Sequence, residues 1–404
     1  MAINLELPKK LEAVIEKAHQ GAAEMLRPIS RKWDLREHEY PVELDTLATL
    51  FEGISEAKTI AFAGAEAFRD GDRPKDANVN GGNMSAVLNV MEISWGDVAL
   101  MLSVPRQGLG NAAINSVATP EQLERLGKDV WAAMAITEPS CGSDSAAINT
   151  TATLDGDEYV INGEKIFVTA GSRASHIVVW ATLDKSKGRA AIKSFIVPRD
   201  HPGVTVERLE DKLGIRASDT ATIRFDNVRI PKENLLGSPE IEVEKGFAGV
   251  METFDNTRPV VAAMAVGIAR AALEELRKIL TAAGIEISYD KPAHAQSAPA
   301  AEYLRMEADW EAAYLLTVRA AWQADNGIPN SKEASMAKAK AGRVASDITL
   351  KAVELAGTVG YSEHTLLEKW ARDSKILDIF EGTQQIQLLV VARRLLGLSS
   401  AELK

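Results

Sequence analysis

Apolar residues recur every three or four positions through the first part of the chain. LEAVIEKAHQGAAEML and PVELDTLATLFEGISEAKTIAF both carry this spacing, which predicts amphipathic helices. A shorter helix announces its ends: Thr119 is placed as N-cap, Pro120 at the first helical position, Gln122 to close a capping box and Gly127 to stop the chain turning. Beyond Val130 the period shortens. TTATLDGDEYVINGEKIFVTAG, SHIVVWATL, AIKSFIVP, GVTVERLE and TATIRFDNVRI are short runs rich in β-branched and aromatic residues. Asp155-Gly156 and Asn162-Gly163 are turn pairs that predict hairpins. No long helix separates these runs, so the expected sheet is antiparallel, closed as a barrel or stacked as a sandwich. After Pro231 and Gly237 the helical period returns in FDNTRPVVAAMAVGIARAALEELRKIL, AAEYLRMEADWEAAYLLTVRAAWQAD, KEASMAKAKAGRVASDITLKAVELAG and ILDIFEGTQQIQLLVVARRLL. Four helices with short connections predict an antiparallel four-helix bundle. The expected fold is mostly α with a central β-domain: a helical domain over residues 1–128, the β-domain over 129–238 and the bundle over 239–404.

Composition narrows the function more than the fold. The 404 residues leave room for several domains around a large core. A net charge of −11 argues against a nucleic-acid surface or an anionic membrane surface. It leaves room for a local basic pocket. The single cysteine, Cys141, excludes an internal disulfide and a CxxC site, and no two of the six histidines stand at i,i+4 spacing, so no HExxH-type metal site is expected. The N-terminal stretch mixes acids with lysines and reads as a helix, not as a targeting peptide. No apolar run approaches the roughly 18–20 residues that span a bilayer. A reducing, cytoplasmic setting is the simplest expectation.

One position breaks the pattern of the last helical segment. Glu381 stands between the apolar IleLeuAspIlePhe stretch and Gly382-Thr383, in a segment otherwise composed for burial. A buried carboxylate is costly unless it is paired, hydrogen-bonded or kept neutral. Glu381 therefore has either a local partner or a chemical task. Thr383 is placed to cap the helix that follows.

Five stretches, in this order, resemble segments of the acyl-CoA dehydrogenase family: ITEPSCGSD, INGEKIFVTAG, KLGIRASDTATIRFDNVRIPKENLLG, FDNTRPVVAAMAVGIARAAL and IFEGTQQIQ. The resemblance covers nearly the whole chain and agrees with the helix–β–helix order. It implies an FAD enzyme that forms the trans double bond between Cα and Cβ of an acyl-CoA thioester and passes electrons to an electron-transfer flavoprotein. Glu381 then abstracts the α-proton, and a water-poor pocket makes its carboxylate basic enough for the task. The resemblance places Thr137, Ser143, Phe167, Thr169, Gly382, Thr383 and Gln385 at the flavin. It places Ser143, Asp255, Thr257 and Arg258 at the acyl-CoA. Some relatives carry the base at the position of Thr257, which cannot serve here. Phe167 stands where many relatives have tryptophan.

Two stretches depart from the family. The arginine and Phe-Gly that reach across a homodimer to the neighbouring FAD have no counterpart in KILTAAGIEISYDKPAHAQSAPAAEY. The second across-dimer motif, a glutamine and two glycines, reads ELAGTVGY, with Glu354 for the glutamine and Thr358 for the second glycine. A carboxylate beside a diphosphate repels it. The expectation is a chain that pairs with a related acyl-CoA dehydrogenase chain in an α2β2 heterotetramer, otherwise a homotetramer. Two other readings stay open: an oxidase-like flavoenzyme on the same fold, and a non-catalytic subunit that completes another chain's FAD site.

Overall fold

The computed structural model describes residues 9–54, 80–105, 109–127, 130–241, 248–398 and 402. Six helices come first: α1 (Lys9–Gly21), α2 (Ser30–Asp34), α3 (Glu43–Ile54), α4 (Gly82–Ser103), α5 (Leu109–Val117) and α6 (Pro120–Leu126). Eight strands follow: β1 (Ala132–Ala135), β2 (Thr151–Asp155), β3 (Glu158–Thr169), β4 (His176–Thr182), β5 (Ile192–Pro198), β6 (Val204–Leu209), β7 (Thr220–Pro231) and β8 (Leu235–Leu236). The chain then returns to helix in α7 (Ala248–Ala282), α8 (Ala298–Asp325), α9 (Ser331–Ala356), α10 (Thr358–Tyr361), α11 (Leu367–Ser374) and α12 (Gln384–Leu396). The helical expectations for residues 1–8 and 55–62 lie outside the described residues.

The capping box at α6 forms as its sequence demands. The Thr119 side chain accepts from the Gln122 backbone amide, and the Gln122 side chain accepts from the Thr119 amide. The amide nitrogen of the same Gln122 side chain donates to the Leu235 carbonyl, which ties α6 to the sheet.

The sheet differs from the expected one in two respects. Its order is β6-β7-β3-β2-β4-β5-β8, with β1 also on β4, and it is mixed, not antiparallel. β1 runs parallel to β4, and β2 meets β4 in parallel register at Thr151 and Thr182. The β2–β3 hairpin supplies the crossover that a parallel neighbour needs, so no helix was required for it. Asp155-Gly156 does make that hairpin. Asn162-Gly163 does not turn the chain: both residues lie inside β3. Gly163 is there because a Cβ would sit 2.4 Å from the Thr150 hydroxyl, and the opposing irregularity falls at Asn227, whose φ is +49°.

The C-terminal region holds three long helices and a shorter α12, with α10 and α11 between α9 and α12. The main core joins α1, α4, α7, α8, α9 and α11, so the first and last parts of the chain share one interior. α4 is also the one described helix whose length and composition would cross a bilayer, which corrects the expectation that no such run exists; its apolar window is 89% buried inside the protein. It kinks at Asp97, whose carboxylate accepts from the Leu100 amide and from the buried ammonium of Lys369 at 2.7 Å. The sheet is locked to this helical body at Gly214. A Cβ there would lie 2.4 Å from the Arg372 carbonyl, so only glycine lets the strand connection rest against α11.

Candidate functional site

Glu381 sits in a tight turn between α11 and α12, on the flank of α9. Its φ is +56° and that of Gly382 is +89°. A left-handed backbone is routine for glycine and strained for glutamate, so neighbouring groups must hold it. Gln387, buried on α12, does so with one side-chain amide: it donates to the carbonyls of Glu381 at 3.0 Å and of Gly382 at 3.1 Å. Lys338, 1% exposed on α9, donates to the Gly382 carbonyl at 2.7 Å. Gly342 lies one turn further along α9, and a Cβ there would be 2.6 Å from the Leu377 carbonyl, so the turn packs directly on the helix backbone. Thr383 caps α12 by accepting from the Ile386 amide, and Gln385 is exposed in its first turn.

Among the described residues the carboxylate has one direct side-chain partner. The Thr257 hydroxyl donates to Glu381 Oε2 at 2.9 Å. Burial pushes the Glu381 carboxyl above the usual carboxylate range. The Thr257 hydrogen bond and the charges of Arg258 and Lys338 act against that rise without cancelling it. Lys338 is pushed down to about 8 by its own burial, with Asp378 and Glu381 opposing the fall and Arg258 adding to it. Arg258 is buried on α7 and reaches Ser335 on α9 at 3.4 Å. The structure thus brings together Glu381, Gly382, Thr383, Thr257 and Arg258, all expected at the site. Asp255 belongs to α7, but its side chain lies outside the described residues.

A second group lies on the sheet. Thr137 follows β1, half-buried, and its carbonyl accepts from the Ile166 amide, which draws the TEPSCGSD turn against β3. Between Lys165 and Val168 the β3–β7 register slips by one residue, and Phe167 falls in this bulge with φ +58°. A bulge re-aims a side chain, and the Phe167 ring is 60% exposed. Thr169 is half-buried opposite Thr220, and Ser143 is exposed in the turn. An exposed aromatic ring, two half-buried threonines and a turn of small residues suit a planar heterocyclic ligand with hydrogen-bonding edges.

Four functional supports escaped the sequence reading. Lys338 and Gln387 are two of them. The others are Glu138 and Lys165, which form a buried pair at 2.9 Å inside the same turn and strand. Glu138 also accepts from the amides of Asn149 and Thr150 and from the Thr150 hydroxyl. Burial works to raise its carboxyl, and Lys165 and Thr150 more than offset this and hold it below the usual range. Cys141, in the same turn, is buried; burial and the Glu138 charge raise its thiol, which keeps it inert. The signal for Lys338 was present: it shares an α9 stripe with the buried Ala334, Ala341 and Ala345.

Residues 133–228 match the acyl-CoA dehydrogenase middle domain, and residues 244–396 match the acyl-CoA dehydrogenase C-terminal domain. The mitochondrial short-chain specific acyl-CoA dehydrogenase of Bos taurus is 34% identical over 97% of this chain and 92% of its own length. The Rattus norvegicus protein of the same name is 41% identical over 65% of this chain and 62% of its own length. Among solved structures, butyryl-CoA dehydrogenase from Megasphaera elsdenii superposes with a TM-score of 0.81 at 32% identity, over 98% of this chain and all of that one. A chain from a structure described as an electron transferring flavoprotein of Acidaminococcus fermentans does so with a TM-score of 0.80 at 32% identity, over 98% of this chain and 100% of that one. The order of helices and strands, the turn that carries Glu381 and these matches agree: the chain belongs to the acyl-CoA dehydrogenase family of FAD-dependent oxidoreductases.

Proposed function

We propose that this chain dehydrogenates an acyl-CoA thioester to its trans-2-enoyl-CoA, with Glu381 as the base, within a two-chain α2β2 assembly. One observation carries the assignment of the base. Glu381 is the carboxylate in the site that burial makes more basic, and the Thr257 hydroxyl and the charges of Arg258 and Lys338 act against that rise. A group tuned this way accepts a proton more readily than an exposed glutamate does. Thr257 orients the carboxylate. The buried wall around it excludes the water that would otherwise compete for its hydrogen bonds. In this reading Ser143 and Arg258 receive the acyl-CoA.

FAD, when bound, supplies the acceptor for the β-hydride. Thr137, Phe167 and Thr169 would hold its ring, and Gly382, Thr383 and Gln385 would meet it from the start of α12. The two electrons leave for an electron-transfer flavoprotein, a partner in keeping with the likeness to the Acidaminococcus fermentans structure.

The two-chain assembly is supported at the far end of α9. Glu354 is exposed there and pairs at the surface with Lys351 at 2.5 Å. Leu350, Val359 and Tyr361, the last 82% exposed, leave an apolar corner around it. A partner that brings its own arginine and glutamine-glycine-glycine turn would complete the diphosphate end of this chain's FAD site. The test is to purify the chain alone and with a related partner chain, and to measure mass, FAD per chain and turnover on a panel of CoA esters. The expected result is a flavin-poor, inactive chain alone and an active tetramer with two FAD when both chains are present. A homotetramer with one FAD per chain and full turnover would overturn the two-chain reading.

A further inference from the structure

We propose that Lys338 is a positioning residue for the dehydrogenation, its buried ammonium clamping the Gly382 carbonyl so that Glu381 is held in the left-handed turn that presents its carboxylate. The inference rests on the reading of Glu381 as the base. Three observations carry it. Lys338 is among the largest fully enclosed side chains of the protein, and a lysine is rarely placed so unless it has a task. Its bond goes to the carbonyl of Gly382, the residue immediately after Glu381, whose own left-handed backbone a non-glycine residue does not adopt without support. Gln387 grips the same carbonyl and that of Glu381 from the opposite helix, so the two peptide groups are fixed from α9 and α12 together.

The clamp has an electrostatic consequence. Arg258 from α7, Asp378 from the turn and Glu381 itself are the charged groups that act on Lys338. Asp378 is shared with Arg343 at 3.5 Å and Lys375 at 3.6 Å. The charge of Lys338 favours the ionised form of Glu381. Loss of that charge therefore raises the carboxylate's basic limb, while loss of the donor loosens the turn.

The test compares Lys338→Met, Lys338→Gln and Lys338→Arg in the flavin-loaded assembly. Two readouts are taken: the pH dependence of the first-turnover rate with an acyl-CoA, and amide hydrogen exchange over residues 377–387, which needs no turnover. Lys338→Met should lose about a hundredfold in rate at neutral pH. Its rising limb should move up by about one pH unit, and its turn amides should lose protection while those of α8 keep theirs. Lys338→Gln retains a donor and should protect the turn better than Met, yet show the same shifted limb. Lys338→Arg keeps the charge and should leave the limb in place. If Met does not fold, Gln and Arg alone decide the matter through the limb. A variant without the charge that keeps the wild-type limb and the wild-type turn protection, with only a lowered melting temperature, would overturn the proposal. Failure of the base assignment is separate: it would appear as near-full turnover in Glu381→Gln, and the exchange data would still report on the clamp.

Discussion

At the residue scale, Glu381 joins two costs in one position: an unfavourable backbone and a poorly solvated carboxylate. Proteins keep such costs where chemistry needs them. The raised carboxyl fixes the sign of a stability effect. Its native proton affinity exceeds its unfolded affinity, so the group favours folding when protonated at low pH, and that contribution is lost as pH rises through the native value. Glu381→Gln should therefore raise the melting temperature near pH 7 and give no gain near pH 4. Melting curves of the two proteins at the two pH values check this, and a gain of equal size at both would contradict it. Glu381 was legible because an acid stands between an apolar stretch and Gly382-Thr383. Thr257 was named at the site by the resemblance, but neither its bond to Glu381 nor the hold of Lys338 on Gly382 was legible: the two residues lie 124 and 43 positions from Glu381 in sequence and reach the turn only once α7, α9 and the turn have packed together.

At the scale of elements, turn chemistry and capping were readable because they are local. Thr119 and Gln122 cap α6, and Thr383 caps α12, through atoms three residues apart. Strand partnership was less readable. Asn162-Gly163 has the composition of a hairpin turn, but its glycine answers a close approach by Thr150 instead. The TEPSCGSD turn was noticed for Thr137 and Ser143, whereas its buried acid, Glu138, holds it in shape. Glu138→Gln leaves the Lys165 ammonium buried without its counter-charge, which costs about 3–5 kcal/mol. Chemical denaturation should show that loss. The same variant should retain FAD less well, since one of the two Glu138 oxygens that accept from Asn149, Thr150 and Lys165 becomes an amide donor, which loosens the turn carrying Thr137. A change below about 1 kcal/mol would mean that the pair contributes little.

At the scale of the whole molecule, the helix–β–helix order was legible because the hydrophobic period changes from helical to strand-like and back. The sharing of one core between the first and last helices was not, since it depends on contacts between distant segments. The last helical segment reads as composed for burial. Instead α12 turns Leu388, Leu389, Leu395 and Leu396 outward, each more than half exposed. Such a face suits subunit contact better than solvent. On the proposed function, the base belongs to this chain and the working enzyme is an assembly. The decisive measurement is single-turnover bleaching of the bound FAD by an acyl-CoA, in the purified assembly, with this chain carrying Glu381→Gln. The account predicts unchanged mass, FAD content and acyl-CoA binding, with the bleaching rate lowered by at least about 10²–10⁴-fold. A variant assembly that bleaches at close to the native rate would contradict it, because the proton would then be leaving to some other group.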